Sequence, residues 1–434
     1  MWPRLSIAIS WAIWLWFGFV KQSSFQGQVI WGSFRNTFAG SSGRERINSL
    51  VLSAAFVLLL FGGEPRAGAQ ITILHSFGDG SVAGDGAVPE AGLIQAPDGN
   101  FYGVTYGQAG KTGVGGTVFR MTPAGVLTVI KRFPSQPLNA PDAPLLYYNN
   151  MLIGVVQDSP TKPNGALFAV TGYPDGPWGK YFFHRFTGMP DGTFPVGGGG
   201  LILGPNGDLY GTTNGGGSAG QGTIYKVNPV SHNFRVVYSF TDTTGAGVFP
   251  NTALVRANDG NFYGGAEGLF GGEIFEMTPN GQVQGVAGLT GNQFLTGPLT
   301  QGSDGNLYGT AGGLYQPIQI YPDMVFRFAT GAGGGVQFLV SEGEYGQTMG
   351  VIQGPNGNLY GLTYSDGTAG KGTVFEVSTA IPPFNVFHNF GDGTVQNDGE
   401  NPVGTLVVGS DNNLYGTTGG GGSAGLGTVF RISP

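Results

Sequence analysis

Three acidic loop phrases hold the residue types best suited to chemistry in this chain. They read Asp85-Gly86-Ala87-Val88-Pro89, Asp191-Gly192-Thr193-Phe194-Pro195 and Asp398-Gly399-Glu400-Asn401-Pro402. Asp79, Asp242 and Asp392 lie in the same connections. Carboxylates gathered on one face would bind a calcium ion or sugar hydroxyls. Asp85, Asp191, Asp398 and Asp242 are therefore the candidate ligand-binding residues. A turn with an Asp cap and a Pro stop explains the same words more simply. His75, His184 and His388 recur two residues before an aromatic, in a slot that Tyr238 fills in another copy. Repetition at one strand position points to packing. No Ser-His-Asp set and no metal-spaced histidine pair stands out, so no catalytic or metal-ligating residue is assigned.

Two further patterns invite chemistry and yield to geometry. Gly367-Thr368-Ala369-Gly370-Lys371-Gly372-Thr373 resembles part of a phosphate loop. A true phosphate loop opens a helix whose amino end meets the anion. Here a strand pattern follows, and Gln221 and Leu426 take the place of the lysine in other copies. The phrase Asp98-Gly99-Asn100 and its relatives offer one or two side-chain oxygens each, whereas calcium takes six to eight. They are read as hairpin turns, because these residues tolerate positive φ.

The elements that position these loops form a repeat. A Tyr-Gly step falls at Tyr102, Tyr210, Tyr263, Tyr308, Tyr360 and Tyr415, with Ile153 standing for the tyrosine in a decayed seventh copy. The intervals are 51, 57, 53, 45, 52 and 55 residues. A period of about 50 residues is that of a propeller blade. Each copy reads as an apolar run, an Asp-Gly-Asn type turn, the Tyr-Gly strand, a glycine-rich loop, and a third strand such as 116–121. A fourth strand then ends in an aromatic, at Phe77, Phe133, Phe186, Phe240 or Phe390. Four antiparallel strands, radially repeated, predict an all-β, seven-bladed β-propeller. The last copy stops at Pro434 after its third strand, while residues 71–77 carry a fourth-strand pattern ahead of any complete copy. The amino-terminal strand is therefore expected to close the last blade, which leaves no unpaired edge at the seam.

Asp98-Gly99-Asn100-Phe101-Tyr102-Gly103, a glycine-rich loop and Gly116-Thr117-Val118-Phe119-Arg120 together resemble the Gloeo/Verruco (GloVer) extracellular repeat family. The resemblance covers about residues 71–434. It implies a bacterial secreted or surface protein and supplies no catalytic residues. The chain departs from the family's surface-anchored members by ending on its last repeat, without a sorting tail.

Residues 1–69 are a different material, with five of the six tryptophans. Arg44 and Arg46 precede an apolar stretch over 50–61, which ends at Ala67-Gly68-Ala69. This is the pattern of a secretory signal over 44–69, cut before Gln70. Residues 1–43 contain another apolar stretch at 5–20, read either as a start assigned too far upstream or as a membrane anchor. Both readings place the domain 70–434 outside the cytoplasm, extracellular or at the cell surface.

The chain has no cysteine, which rules out disulfides and thiolate chemistry. After residue 69 there are 13 basic and 24 acidic residues, a net charge of −11. An acidic surface disfavours nucleic acid and anionic lipid as partners of the propeller. An extracellular glycan or a surface protein is the expected partner, the expected state is a monomer, and no cofactor is expected other than calcium. Loops that look alike around a ring suit a binding or structural surface module. The alternative is a polysaccharide-active hydrolase or lyase with carboxylates near the channel. It would draw on the divergent blades, the second with Asp158 and Lys162 and the fifth with its insert at 314–323. Facing carboxylates in a central pocket would favour the enzyme, and a carboxylate-poor channel the binder.

Overall fold

Short apolar runs cut by Gly, Asn and Asp every few residues give a helix no room to nucleate. The computed structural model accordingly contains thirty strands in seven sheets among its described residues. It describes residues 70–434 apart from 109–110, 134–140, 157–163, 197–199, 242–244, 269–270, 290–292, 314–322, 332–334, 341–345 and 380–383. The export segment, Asp158, Lys162, Asp242 and nearly all of the fifth-blade insert lie outside those residues.

Blade one shows the plan. Its strands Ile94–Gln95, Phe101–Gln108, Lys111–Met121 and Leu127–Arg132 pair in sequence order, each antiparallel to the next. Blades two to six follow over 146–185, 193–239, 255–288, 293–340 and 348–389. The first turn is fixed by its own side chains. In blade one, Asn100 N–H donates to Asp98 Oδ1 (3.1 Å) and the Tyr102 hydroxyl donates to Asp98 Oδ2 (2.7 Å). The same Tyr–Asp bond recurs at Tyr263–Asp259, Tyr308–Asp304 and Tyr415–Asp411. Blade two uses a two-residue turn instead, with Asn149 and Asn150 at φ of 44° and 61°, the pair of positive angles a type I′ hairpin needs.

The glycine of each Tyr-Gly step has a steric reason. A Cβ on Gly264 would stand 2.6 Å from Cζ of Phe275, its partner on the third strand. Without that Cβ the ring lies across the strand. In every blade the ladder from third to fourth strand then shifts register at this point, as between Ile274 and Phe275. One extra residue there is a bulge that increases local twist.

The blades lock through the same aromatics. The ring that ends a fourth strand meets the third-strand ring of the following blade edge-on. Phe133–Phe168, Phe186–Tyr225, Phe240–Phe275 and Phe390–Phe430 have centroids 5.0, 5.2, 5.2 and 5.3 Å apart. Phe77–Phe119 continues the series at 5.5 Å, from blade seven to blade one. Edge-to-face packing adds to the large apolar area that these rings bury.

The seam closes as the chain ends predict. Blade seven consists of Glu400–Val408, Leu414–Gly420 and Thr428–Ser433, with Gln70–Ser76 as its fourth strand. Ile71 pairs with Ile432, Thr72 with Arg431 and Ile73 with Phe430.

Candidate functional site

In blades one, four and seven the loop entering the blade sits on the glycine-rich loop of the blade before. Val88 N–H donates to Leu426 O (2.9 Å), Phe249 N–H to Gln221 O (2.9 Å) and Asn401 N–H to Lys371 O (2.8 Å). All three donors have positive φ, 54°, 49° and 53°. That conformation is a strain for side-chain-bearing residues, and these inter-blade bonds hold it. Both loop sets therefore share one face.

On that face a cavity of about 370 Å³ opens on the ring axis, with residues from six blades in its wall. The wall has a positional rule. Each first strand is anchored by a buried aliphatic, at Leu93, Leu145, Leu201, Leu254, Leu299, Val351 and Leu406. Three residues before five of these anchors stand Glu90, Asp142, Asn251, Thr296 and Val403, all lining the cavity. Asn251 Nδ2 donates to Leu295 O of the next blade (3.2 Å), while its Oδ1 packs against Gly265 with no hydrogen-bond partner. Thr296 exchanges hydroxyl bonds with Thr310 and Thr348, both at 2.9 Å. Glu90 reaches the cavity solvent, yet the surrounding blades desolvate it, and this burial raises its carboxyl above the ordinary glutamate range. Among the described residues, no lysine, arginine or histidine lines the cavity.

The recurrent aspartates lie elsewhere on this face, and the structure joins them to the histidines. His75 Nε2 lies 2.8 Å from Asp85 Oδ2, and Gly78 N–H donates to the same carboxylate (3.0 Å). His388, Asp398 and Gly391 repeat this geometry at 2.8 and 3.1 Å. His184 and Asp191 come within 3.3 Å without hydrogen-bond alignment, while Thr187 N–H and Oγ1 donate to Asp191 Oδ1, both at 2.8 Å. Burial lowers the pKa of His184, whose ring stacks on Phe234 at 3.6 Å. The histidines also pack as expected, His75 meeting Phe77 edge-on at 4.9 Å. Asp79 and Asp392 accept from Ser81 N–H and Thr394 N–H, both at 2.8 Å, as local turn caps. Side-chain hydrogen bonds from Ser81 and Thr394, aided by these backbone bonds, hold both carboxyls below the usual aspartate range.

The phosphate-loop mimic is a turn leading into the strand Thr373–Val377, and Lys371 Nζ pairs with Glu400 Oε2 at 2.8 Å. Among the described residues, no three His, Cys, Asp or Glu side chains gather closely enough to hold a metal ion.

Sequence reasoning missed Glu90 and Asp142, because they belong to no repeated word. Their signal is the fixed offset from the first-strand aliphatic, at which residue type changes from blade to blade. It missed Asp323 as a distinct site as well. Asp323 stands where other blades place a glycine before the third strand, and it is buried. Thr348 N–H donates to its Oδ2 (2.7 Å), and burial pushes its carboxyl up to about 7.

Comparison with solved structures finds the same ring. A streptogramin B lyase structure aligns with a TM-score of 0.55 at 14% identity, over 84% of this chain and 98% of that one. Virginiamycin B lyase from Staphylococcus aureus aligns at 0.52 and 14% identity, over 84% and 99%. At such identity the likeness is one of fold alone. No curated protein sequence matches the chain. The family model described as the Gloeobacter/Verrucomicrobia repeat matches residues 174–330 and 321–434. These two stretches span more than half of the sequence and contain the Tyr-Gly and third-strand words that build the blades, so the chain belongs to the Gloeobacter/Verrucomicrobia repeat family.

Proposed function

We propose that this chain is an exported binding module that takes a glycan in the axial cavity, with the recurrent aspartates serving as loop clamps. The composition of the cavity wall carries the reading. Glu90, Asp142 and Asn401 offer hydrogen-bonding oxygens, while Val88, Met349, Pro298 and Val403 offer an apolar surface. Sugars present hydroxyls and apolar C–H faces together, and ligand sites of about 300–1,000 Å³ commonly combine such features. Glycan-array binding of the secreted protein tests this, with and without calcium. Retention of a glycan class should be lost in Glu90→Trp, which fills the cavity. An array with no retained glycan, or retention unaffected by that substitution, overturns the proposal. Export is read from Ala67-Gly68-Ala69, and amino-terminal sequencing should begin at Gln70 or within a few residues. An intact chain held in the membrane overturns that part.

One observation favours a second reading. Glu90, with its raised carboxyl, and Asp142 line one cavity, and glycoside hydrolysis uses a protonated and an ionised carboxyl. Release of reducing or unsaturated sugar ends by the protein, lost in Glu90→Gln, would establish the hydrolase or lyase in place of the pure binder.

A further inference from the structure

We infer that the face around the axial cavity holds an extended, uncharged polysaccharide chain, with Tyr364, Tyr106 and Phe194 as platforms for its sugar units. The inference rests on the glycan reading above and makes the ligand a polymer.

The placing of exposed aromatics is the first observation. Among the described residues, three Phe, Tyr or Trp side chains are exposed: Tyr106 at 49%, Phe194 at 45% and Tyr364 at 40%. One exposed ring needs no explanation, but all three fall in loops of the cavity face. Tyr364 lines the cavity. Tyr106 N–H donates to the carbonyl of the cavity-lining Val88 (2.9 Å). Phe194 holds in blade three the place that Val88 and Asn401, both in the cavity wall, hold in blades one and seven.

The backbone supplies the second. Phe194 has a φ of 52°, which a bulky residue rarely adopts. Ladder pairs on either side of it, Thr193 with Gly215 and Pro195 with Thr213, hold that conformation. Strain of this kind clusters at ligand clamps. The two tyrosines share one position, directly after the buried Thr105 and Thr363. Asn214, Glu267, Gly312 and Gly419 stand there in blades three, four, five and seven. The fold accepts glycine at that position, so packing does not require the rings.

Tyr364, Tyr106 and Phe194 belong to blades six, one and three, every second blade along the rim. A ligand that fills the cavity and also reaches Tyr106 or Phe194 extends past the cavity wall. Aromatic faces stack on sugar C–H surfaces, and Asn401 and Asn214 bring amide groups to the same rim. A peptide would call for a continuous apolar groove or a free strand edge. Rings set on separate blades suit a chain of repeating sugar units instead. The domain's net charge of −11 disfavours a chain of uronic acids.

The experiment is an array on which neutral and uronic-acid glycans are each printed as disaccharide, tetrasaccharide and hexasaccharide, probed with the exported protein. A neutral class should be retained, its hexasaccharide about tenfold more tightly than its disaccharide. Tyr106→Ala and Phe194→Ala should each remove most of that gain with length. The length series on the parent needs no substitution, so it decides the matter even if a variant fails to fold. Equal retention at all lengths overturns the polymer inference and leaves the cavity reading standing. A gain with length that survives both substitutions overturns the assignment of the platforms, and retention of uronic-acid chains alone overturns the uncharged ligand. An empty array overturns the glycan reading and this inference with it.

Discussion

His75 Nε2 and Asp85 Oδ2 meet at 2.8 Å and clamp a fourth strand to the loop that leaves it. The two residues are ten apart, and both are buried, at 7% and 2% exposure. The carboxylate also accepts from Gly78 N–H, so two groups depend on it. Asp85→Ala would leave a buried imidazole and a backbone donor without a partner, at a cost of about 2–4 kcal/mol. Asp191→Ala should cost about 1 kcal/mol, because its histidine lies farther away at 3.3 Å and both side chains are more exposed. Denaturant titration of the two variants checks this ordering. Equal losses would mean that the short His–Asp contact adds nothing. Because Asp85 and Asp398 already spend their carboxylates on His75 and His388, calcium should leave the melting temperature of the parent unchanged.

A second prediction concerns the inter-blade rings. Phe240 is fully buried, and its ring meets Phe275 of the next blade at 5.2 Å. Phe240→Ala should cost about 3–5 kcal/mol through lost transfer energy and the cavity left behind. Gly264→Ala attacks the same latch from the other side, since its new Cβ would displace the Phe275 ring by overpacking, at about 1–3 kcal/mol. The two substitutions touch one shared ring, so the double variant should lose less than the sum of the singles. Strict additivity would show that the latch is not one unit.

The parts of the molecule legible in sequence are those that geometry forces to recur. Tyr263 needs Asp259 for its hydroxyl, Gly264 must be bare for Phe275, and Phe275 must be aromatic to receive Phe240. Each requirement holds in most blades, so it repeats as a word and reveals both period and strand order. Glu90 and Asp142 answer to no such requirement. They line the axial cavity, at a position where the repeat fixes no residue type, and so they vary around the ring. The His75–Asp85 pair was hidden differently. Both residues recur visibly, but a loop of irregular backbone separates them, and no spacing rule reveals that it folds back.

Asp323 gives the fold a built-in pH dependence. Its carboxyl keeps a proton up to about 7 in the folded ring, whereas an unfolded aspartate loses its proton near pH 4. Between those values the native state binds more protons than the unfolded chain, so stability falls as pH rises from about 4 to about 7 and then levels off. The loss contributed by this one group is at most about 4 kcal/mol, the three-unit shift at 1.36 kcal/mol each. Asp323→Asn keeps an oxygen for Thr348 N–H and has no charge to bury. The variant should match the parent near pH 4 and exceed it in stability at pH 8. Melting curves that stay parallel from pH 4 to 8 would show that Asp323 ionises without cost.

The seam gives the sharpest test of the ring. Gln70–Ser76 is the first described strand of the chain, yet it completes the last blade against Thr428–Ser433. Ile71 is buried in one cluster with Phe390, Leu406, Phe430 and Ile432, while Phe77 joins Phe119 across the junction to blade one. Deleting residues 70–78 would expose the edge of the last third strand and uncover both clusters. Backbone groups without partners and apolar surface returned to water each cost free energy. The truncated protein should therefore unfold at far lower denaturant concentration than the protein beginning at Gln70. Attaching the same strand after Pro434 through a short linker should restore the midpoint, because a propeller seam depends on which strands pair and not on where the chain starts. Loss of stability without rescue would mean that residues 70–78 act through something other than strand pairing. Truncation without loss would mean that the ring closes without them.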